Sequence, residues 1–329
     1  MYDENYIAKL KIPNGRIDVI LDTDTYNEID DGFALAYLLS KGEKLRTAGI
    51  CAAPFLNSRS VSPADGMEKS YDEILKILSL AERNDLIPRV YKGSEKFLAD
   101  EKTPVRSDAA DFIIGEAEKH SAKDPLYIVA IGAVTNVASA ILKAPDVMYE
   151  NTVVVWLGGN AVHWEHTREF NMKQDVSAAR IVTGCSVPLI LLPCMGVVSS
   201  FTTTGPELRH FLSGKNALCD YLVKTTVDEA EKYAKGMAWS RCIWDVTAVA
   251  RLLDDGDRFM SSRIIPAPIP QYDGFYSFSS ERKPMRYTTA IWRDNLFTDL
   301  FSSLATSKKV TKWHTKETLF HLLFYKNMV

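Results

Sequence analysis

The sequence predicts an α/β fold: one domain over residues 1–329, built on a mostly parallel, doubly wound, Rossmann-like sheet with an α-rich C-terminal part. Three observations predict it. Five short β-branched runs are apolar along their whole length instead of at every second residue, the pattern of strands covered on both faces. Between them lie longer stretches with apolar residues three and four apart, as in helices that bury one side. No repeat, low-complexity tract or Pro/Gly/Ser linker divides the chain, and 329 residues with 46% hydrophobic content can bury a large core.

The elements follow in order. "RIDVILDTD" (16–24) is the first predicted strand, and "DGFALAYLLSKG" (31–42) is a helix ending at a glycine suited to a C-cap. "RTAGICAAP" (46–54) is the second strand. "MEKSYDEILKILSLAERN" (67–84) is a helix entered through "SVSPAD", with Ser62 or Asp65 as its cap. A helix at "DAADFIIGEAEKHS" (108–121) precedes the strand "PLYIVAIGA" (125–133), and "VTNVASAILKA" (134–144) precedes "NTVVVWLGG" (151–159). "VSAARIVTGC" (176–185) and "VPLILLPC" (187–194) complete the alternation. Beyond Thr203 the strand signal fades. Helical patterns at 217–236 and 242–255, a loop-rich stretch at 264–278, a strand "RYTTAIW" (286–292) and a terminal helix "KETLFHLLFYK" (316–326) read as additions around the sheet.

Composition excludes several classes of partner. The net charge is -3 with Lys and Arg scattered, which leaves no footprint for nucleic acid or an anionic membrane. The five cysteines, Cys51, Cys185, Cys194, Cys219 and Cys242, form no CxxC pair or even framework, which points to a reducing compartment. The N-terminus lacks a signal-peptide pattern and the longest apolar run is too short to span a bilayer, so the expected location is cytoplasmic and the expected partner a small molecule.

The chemistry concentrates in "LDTDTYNEIDDG" (21–32), where Asp22, Asp24, Glu28, Asp30 and Asp31 fall within ten residues at the end of the first strand. In open parallel sheets ligands bind beyond the carboxyl ends of the strands. Alternation on an extended backbone would put Asp22 and Asp24 on one side, and Asp30 and Asp31 open the next helix, about 100° apart around its axis. So many like charges repel unless a cation sits among them, and all-oxygen ligands indicate Ca²⁺ or Mg²⁺. A single capping aspartate would need no such explanation. "VILDTDTY" also looks like the D-x-D-x-[TV] motif of haloacid-dehalogenase-type, Mg²⁺-dependent phosphatases, with Asp22 as nucleophile; that reading leaves Asp30 and Asp31 unused and finds no later acidic pair.

A second match runs much further along the chain. The D-x-D strand end followed by D-D, "GAVTNVASAI", "VVVWLGGN", "REFNMKQDVSAARIV" and "IWDVTAV" stand in the order found in inosine-uridine-preferring nucleoside N-ribohydrolases, and from residue 16 to about 250 the sequence resembles that family. The resemblance implies Ca²⁺-dependent hydrolysis of the N-glycosidic bond of ribonucleosides to ribose and free base, by a homo-oligomer, dimer or tetramer. It implies Ca²⁺ ligation by Asp24, Asp31, the Thr135 carbonyl and Asp245, with Asp30 as general base. Asn57, Glu169, Asn171 and, as a weaker candidate, Asn160 would bind ribose. Glu169 and Asn171 flank Phe170, so an extended segment would aim both at one side.

Two departures bear on function. The family's D-x-D-P-G-x-D-D turn is here two residues longer and lacks Pro-Gly, which makes Tyr26, Asn27 and Glu28 a candidate substrate-facing bulge. Trp244 stands where pyrimidine-cleaving or broad-specificity members carry a His, and resembles the purine-preferring members that stack the base on an aromatic ring. His163 and His166 then form a candidate leaving-group loop, although histidines in a polar loop are ordinarily just solvated. A nucleoside- or sugar-binding relative with weak turnover remains the alternative outside the enzymes.

Overall fold

The computed structural model describes residues 4–306. Twelve strands appear in chain order: β1 Ile17–Thr23, β2 Leu45–Ala52, β3 Val90–Lys92, β4 Leu126–Ala130, β5 Thr152–Leu157, β6 Leu189–Leu192, β7 Thr202–Thr203, β8 Arg241–Cys242, β9 Met260–Pro266, β10 Ile269–Pro270, β11 Tyr276–Ser277 and β12 Pro284–Ile291. Eight of them form one sheet in the order β3-β2-β1-β4-β5-β6-β12-β9, and β7-β8 and β10-β11 are separate two-stranded ribbons. Every pairing in the large sheet is parallel except β12 with β9.

The central strands of the sheet are buried on both faces, and their side-chain alternation shows it. In β5, Val153, Val155 and Leu157 join one apolar cluster, while Val154 and Trp156 join the other. The first cluster includes Phe33 and Leu35 of the helix Asp30–Ser40, and the second includes Val137 and Ile141 of the helix Thr135–Lys143. The expected doubly wound architecture is therefore present, with the strand order reversing at β1. From β1 the chain winds outward through β2 and β3, then returns to place β4 on the other side of β1. The carboxyl ends of β1 and β4 thus open a crevice at this switch point, where ligands bind in such sheets.

Some local expectations are altered. The helix Asp30–Ser40 ends on Lys41, whose N–H reaches Leu38 O, and Gly42 is not in the left-handed region, so no glycine C-cap forms. Ser62, not Asp65, caps Pro63–Leu80, accepting from Asp65 N at 3.1 Å. The C-terminal third adds helices at Gly205–Leu212, Ala217–Ala234 and Val246–Arg251. It also adds the edge strand β9 and the helix Arg293–Thr306, neither of which the sequence pattern marked. The expected terminal helix at 316–326 lies outside the described residues. Among the described residues no helix is long and apolar enough to cross a membrane.

Candidate active site

Residues at or shortly beyond the carboxyl ends of β1, β4, β5 and β6 line one cavity of about 250 Å³. Asp24 follows β1, Ile131 follows β4, Asn160 lies beyond β5 and Cys194 beyond β6, and all four line it. Asp30 and Asp31 enter from the start of their helix and Asp245 from the residue before Val246–Arg251. One carboxylate oxygen from each of Asp30, Asp31 and Asp245 lies within 4.8 Å of the other two, at residues 1–4% exposed. Both oxygens of Asp24 and Oδ1 of Asp30 are buried without a hydrogen-bond partner among the described residues.

Unpartnered buried carboxylates are costly, and the electrostatics record it. Burial, then Asp31, pushes the Asp24 carboxyl well above its ordinary value; burial, then Glu28, does the same to Asp30; burial, then Asp30, to Asp245. Asp31 rises to about 6 through burial, moderated by the Thr23 hydroxyl, which donates to its Oδ1 at 2.6 Å. The donor set is entirely oxygen, which fits a hard divalent cation such as Ca²⁺ or Mg²⁺ and not a thiophilic one.

The backbone of the β4 turn closes against this cluster. A Cβ built on Gly132 would sit 2.9 Å from Asp24 Oδ1, so any larger residue there would displace the Asp24 carboxylate. Ile131 lines the cavity beside it, whereas Thr135, the expected carbonyl ligand, does not. Thr135 opens the helix Thr135–Lys143, and its hydroxyl donates to Asp175 Oδ2 at 2.8 Å.

Asp22 is also redirected. The strand ends at Thr23, so the alternation stops before Asp24 and the two aspartates part. Asp22 Oδ1 accepts from Asn136 Nδ2 at 2.8 Å and the residue is absent from the cavity wall. Burial raises its carboxyl to about 7, against the hydrogen bond from Asn136. A nucleophilic Asp22, which the phosphatase reading needs, does not face the cavity.

The polar residues expected on the ribose divide. Glu169 and Asn171 both line the cavity, but the segment is not extended: Phe170–Gln174 is a short helix and Glu169 is its N-cap. Its carboxylate accepts from Gly159 N at 2.7 Å, Asn171 N at 2.8 Å and Met172 N at 3.0 Å. Asn171 Nδ2 donates at 3.0 Å to both Ile131 O and Leu157 O, tying the ends of β4 and β5 together. Asn160 lines the cavity, with Nδ2 on His166 O at 2.9 Å and Oδ1 accepting from Met195 N at 3.2 Å. Asn57 does not reach the wall. It donates at 2.6 Å to Asn27 Oδ1, and Asn27 lines the cavity in its place.

The longer turn therefore does face the site, through Asn27 and Glu28, while Tyr26 lies outside the wall. Glu28 is held by Arg241 at 2.8 Å, and that guanidinium also opposes the rise of the Asp30 carboxyl. Trp244 and His166 line the cavity; His163 does not. Arg168 and Cys194 are wall residues that sequence reasoning passed over. Cys194 was detectable as a residue just beyond a predicted parallel strand, and Arg168 as the neighbour of "EFN".

Comparison with known proteins gives a consistent answer. The profile of the family described as inosine-uridine preferring nucleoside hydrolase matches residues 19–290. Among curated proteins, an uncharacterized protein of Schizosaccharomyces pombe is 31% identical over 88 residues, 26% of this chain. The match spans only 28% of that relative's length. Among solved structures, a plant nucleoside hydrolase superposes with a TM-score of 0.70 at 20% identity, covering 88% of this chain and 99% of the other. A purine-preferring ribonucleoside hydrolase from Gardnerella vaginalis gives 0.69 at 20% identity, with 88% and 98% covered. An inosine-guanosine nucleoside hydrolase gives 0.69 at 16% identity, again with 88% and 98% covered. At these identities the structural likeness is one of fold.

Proposed function

Because the chain belongs to the inosine-uridine preferring nucleoside hydrolase family, we propose that it hydrolyses the N-glycosidic bond of ribonucleosides, with a preference for purines, using Ca²⁺. The observation that carries this reading is the convergence of four buried aspartates, Asp24 and Asp30 with unpartnered oxygens, on a cavity that also holds amides and Trp244. The ligands to the cation would be Asp24, Asp31 and Asp245, with a main-chain carbonyl at the β4 turn. Ile131 fits that carbonyl better than Thr135 because it lines the cavity. When bound, Ca²⁺ would supply a positive charge able to orient and acidify a water and to attract the ribose hydroxyls.

The chain's own groups do the rest. Asp30, with Oδ1 unpartnered, takes the proton of the attacking water. The carboxylates stabilise positive charge growing on the ribose as the bond breaks. Asn27, Asn160, Glu169 and Asn171 shape the ribose end, and Trp244 offers its ring face to the base. A second assignment for the base has its own support: Asp24 has two unpartnered oxygens, enough to serve the cation with one and the water with the other. Asp24→Asn should remove cation binding and turnover together under either assignment; Asp30→Asn should remove turnover alone if Asp30 is the base and leave turnover in place if Asp24 is.

The free, unpaired cysteines support a reducing, cytoplasmic setting, and the family resemblance supports a homo-oligomer. The test is release of free ribose from a panel of purine and pyrimidine ribonucleosides, with Ca²⁺ and after chelation. Chelator-sensitive release, greater from purines, is expected. Release mainly from uridine or cytidine would remove the stacking role of Trp244, and no release from any would favour a binding relative.

A further inference from the structure

We propose that the segment His166 to Arg168 forms the leaving-group end of the cavity, with His166 Nε2 as the hydrogen-bond donor to the departing base. The inference rests on the nucleoside-cleaving reading above. Breaking the C–N bond sends its electron pair to the base nitrogen, so the reaction separates positive charge on the ribose from negative charge on the base. The aspartates suit the first charge. Something on the wall must suit the second.

Most polar groups of the wall are already committed. The Asn160 and Asn171 amides donate to main-chain carbonyls, and Glu169 accepts three backbone N–H groups. Burial holds the Cys194 thiol far above its ordinary value, so it stays a weak, neutral donor. His166 differs. Its Nδ1 accepts from Arg168 N at 3.2 Å, which places the proton of a neutral imidazole on Nε2. Nε2 has no partner among the described residues, and His166 is a residue of the cavity wall. Arg168 lines it too, adding positive charge beside the imidazole.

The segment is pinned from both sides, as a donor must be to act without reorganising. Asn160 Nδ2 holds His166 O at 2.9 Å, and Thr167 N donates to Gly274 O at 2.8 Å in the β10–β11 ribbon. The Arg168 guanidinium stands 5.8 Å from the Phe275 ring centroid. Gly274 has φ +86°, and a Cβ there would meet Arg168 Nε at 2.8 Å. In the step itself His166 keeps its proton. Water adds as hydroxide to the ribose, its proton goes to the carboxylate base, and the released base takes a proton from solvent.

The test compares inosine with 4-nitrophenyl β-D-ribofuranoside, whose phenolate leaves without a donor. His166→Ala should lower kcat/KM on inosine by about a hundredfold, the scale of losing one preorganised donor, and on the aryl riboside by about tenfold less. His166→Gln, which can present an amide N–H near the same point, should recover part of the inosine activity. Gly274→Ala, which crowds Arg168 Nε and strains the backbone that holds Thr167, should show the same substrate bias in weaker form. Equal losses on both substrates, or none on inosine, would overturn the assignment. Wild-type activity on the aryl riboside alone would remove it while leaving the ribosyl site standing, and activity on neither would remove the nucleosidase reading as well.

Discussion

The Thr23 hydroxyl, on the last residue of β1, donates at 2.6 Å to Oδ1 of Asp31, the second residue of the following helix. It also lies 2.8 Å from the Thr25 hydroxyl, so a short buried chain of hydroxyls holds one carboxylate of the proposed cation site from behind. Partners of this kind orient ligands, and their loss typically costs about 10- to 100-fold in metal affinity. Thr23→Val keeps the β-branched shape and removes the donor. Ca²⁺ affinity of the chelator-stripped protein should fall at least about tenfold, read by calorimetric titration. An unchanged affinity would make Thr23 a packing residue only.

Asp245 sits within a cluster that repels itself when no cation is bound, since Asp30, Asp31 and Asp24 each raise its carboxyl further after burial. Removing one charge should therefore help the stripped protein. Asp245→Asn is expected to raise the unfolding temperature in chelator and to lose the Ca²⁺-linked increase. In the wild type that increase should approach about 2.7 kcal/mol at a hundredfold excess over Kd. Scanning fluorimetry with and without Ca²⁺ reads both; a variant that still gains stability from Ca²⁺ would remove Asp245 from the ligand set.

The same groups set a pH dependence with a definite sign. Asp31 at about 6 and Asp22 at about 7 lie above the unfolded carboxylate value of 3.8. Their stabilising contribution is fully present below about pH 4 and is lost as pH rises through 6 and 7, because the unfolded chain releases its protons first. Stripped protein should thus lose stability between about pH 4 and 7, by urea unfolding. With Ca²⁺ bound the Asp31 part should flatten, since the cation holds that carboxylate ionised. A stripped protein whose stability rises through this window would contradict the assignment of these buried acids.

The central sheet was legible because its strands are apolar on both faces and short, and the acid stretch was legible because it sits at a strand end. What escaped depended on how each backbone bends after its element. Alternation ended at Thr23, so Asp22 turned to Asn136 while Asp24 faced the cavity. Glu169 used its carboxylate as an N-cap, which made helix of a segment that spacing alone read as extended. Asn57 and Asn27 are both turn amides, and only the fold decides which stands in front. The edge strand β9 is half exposed and carries no apolar signature to find.

Lys283 offers a check on the core far from the carboxylates. It is 2% exposed, and its ammonium donates to Val182 O at 2.7 Å and Val187 O at 2.6 Å, bracing the turn that leads into β6. Burial lowers it from 10.5 to about 8. Between those values the unfolded chain holds a proton that the folded chain lacks, so stability should rise as pH climbs from 8 to 10.5. Below 8 the full cost of burying the charge is present. Lys283→Met removes that cost but leaves Val182 O with only the weak Cys185 thiol donor and takes the ammonium from Val187 O, a loss of about 1–3 kcal/mol per carbonyl left unpaired, so the net change near pH 7 should be small. The telling quantity is the slope. The variant's unfolding free energy should be flatter than the wild type's between pH 8 and 10, and an identical slope would assign the dependence to other groups.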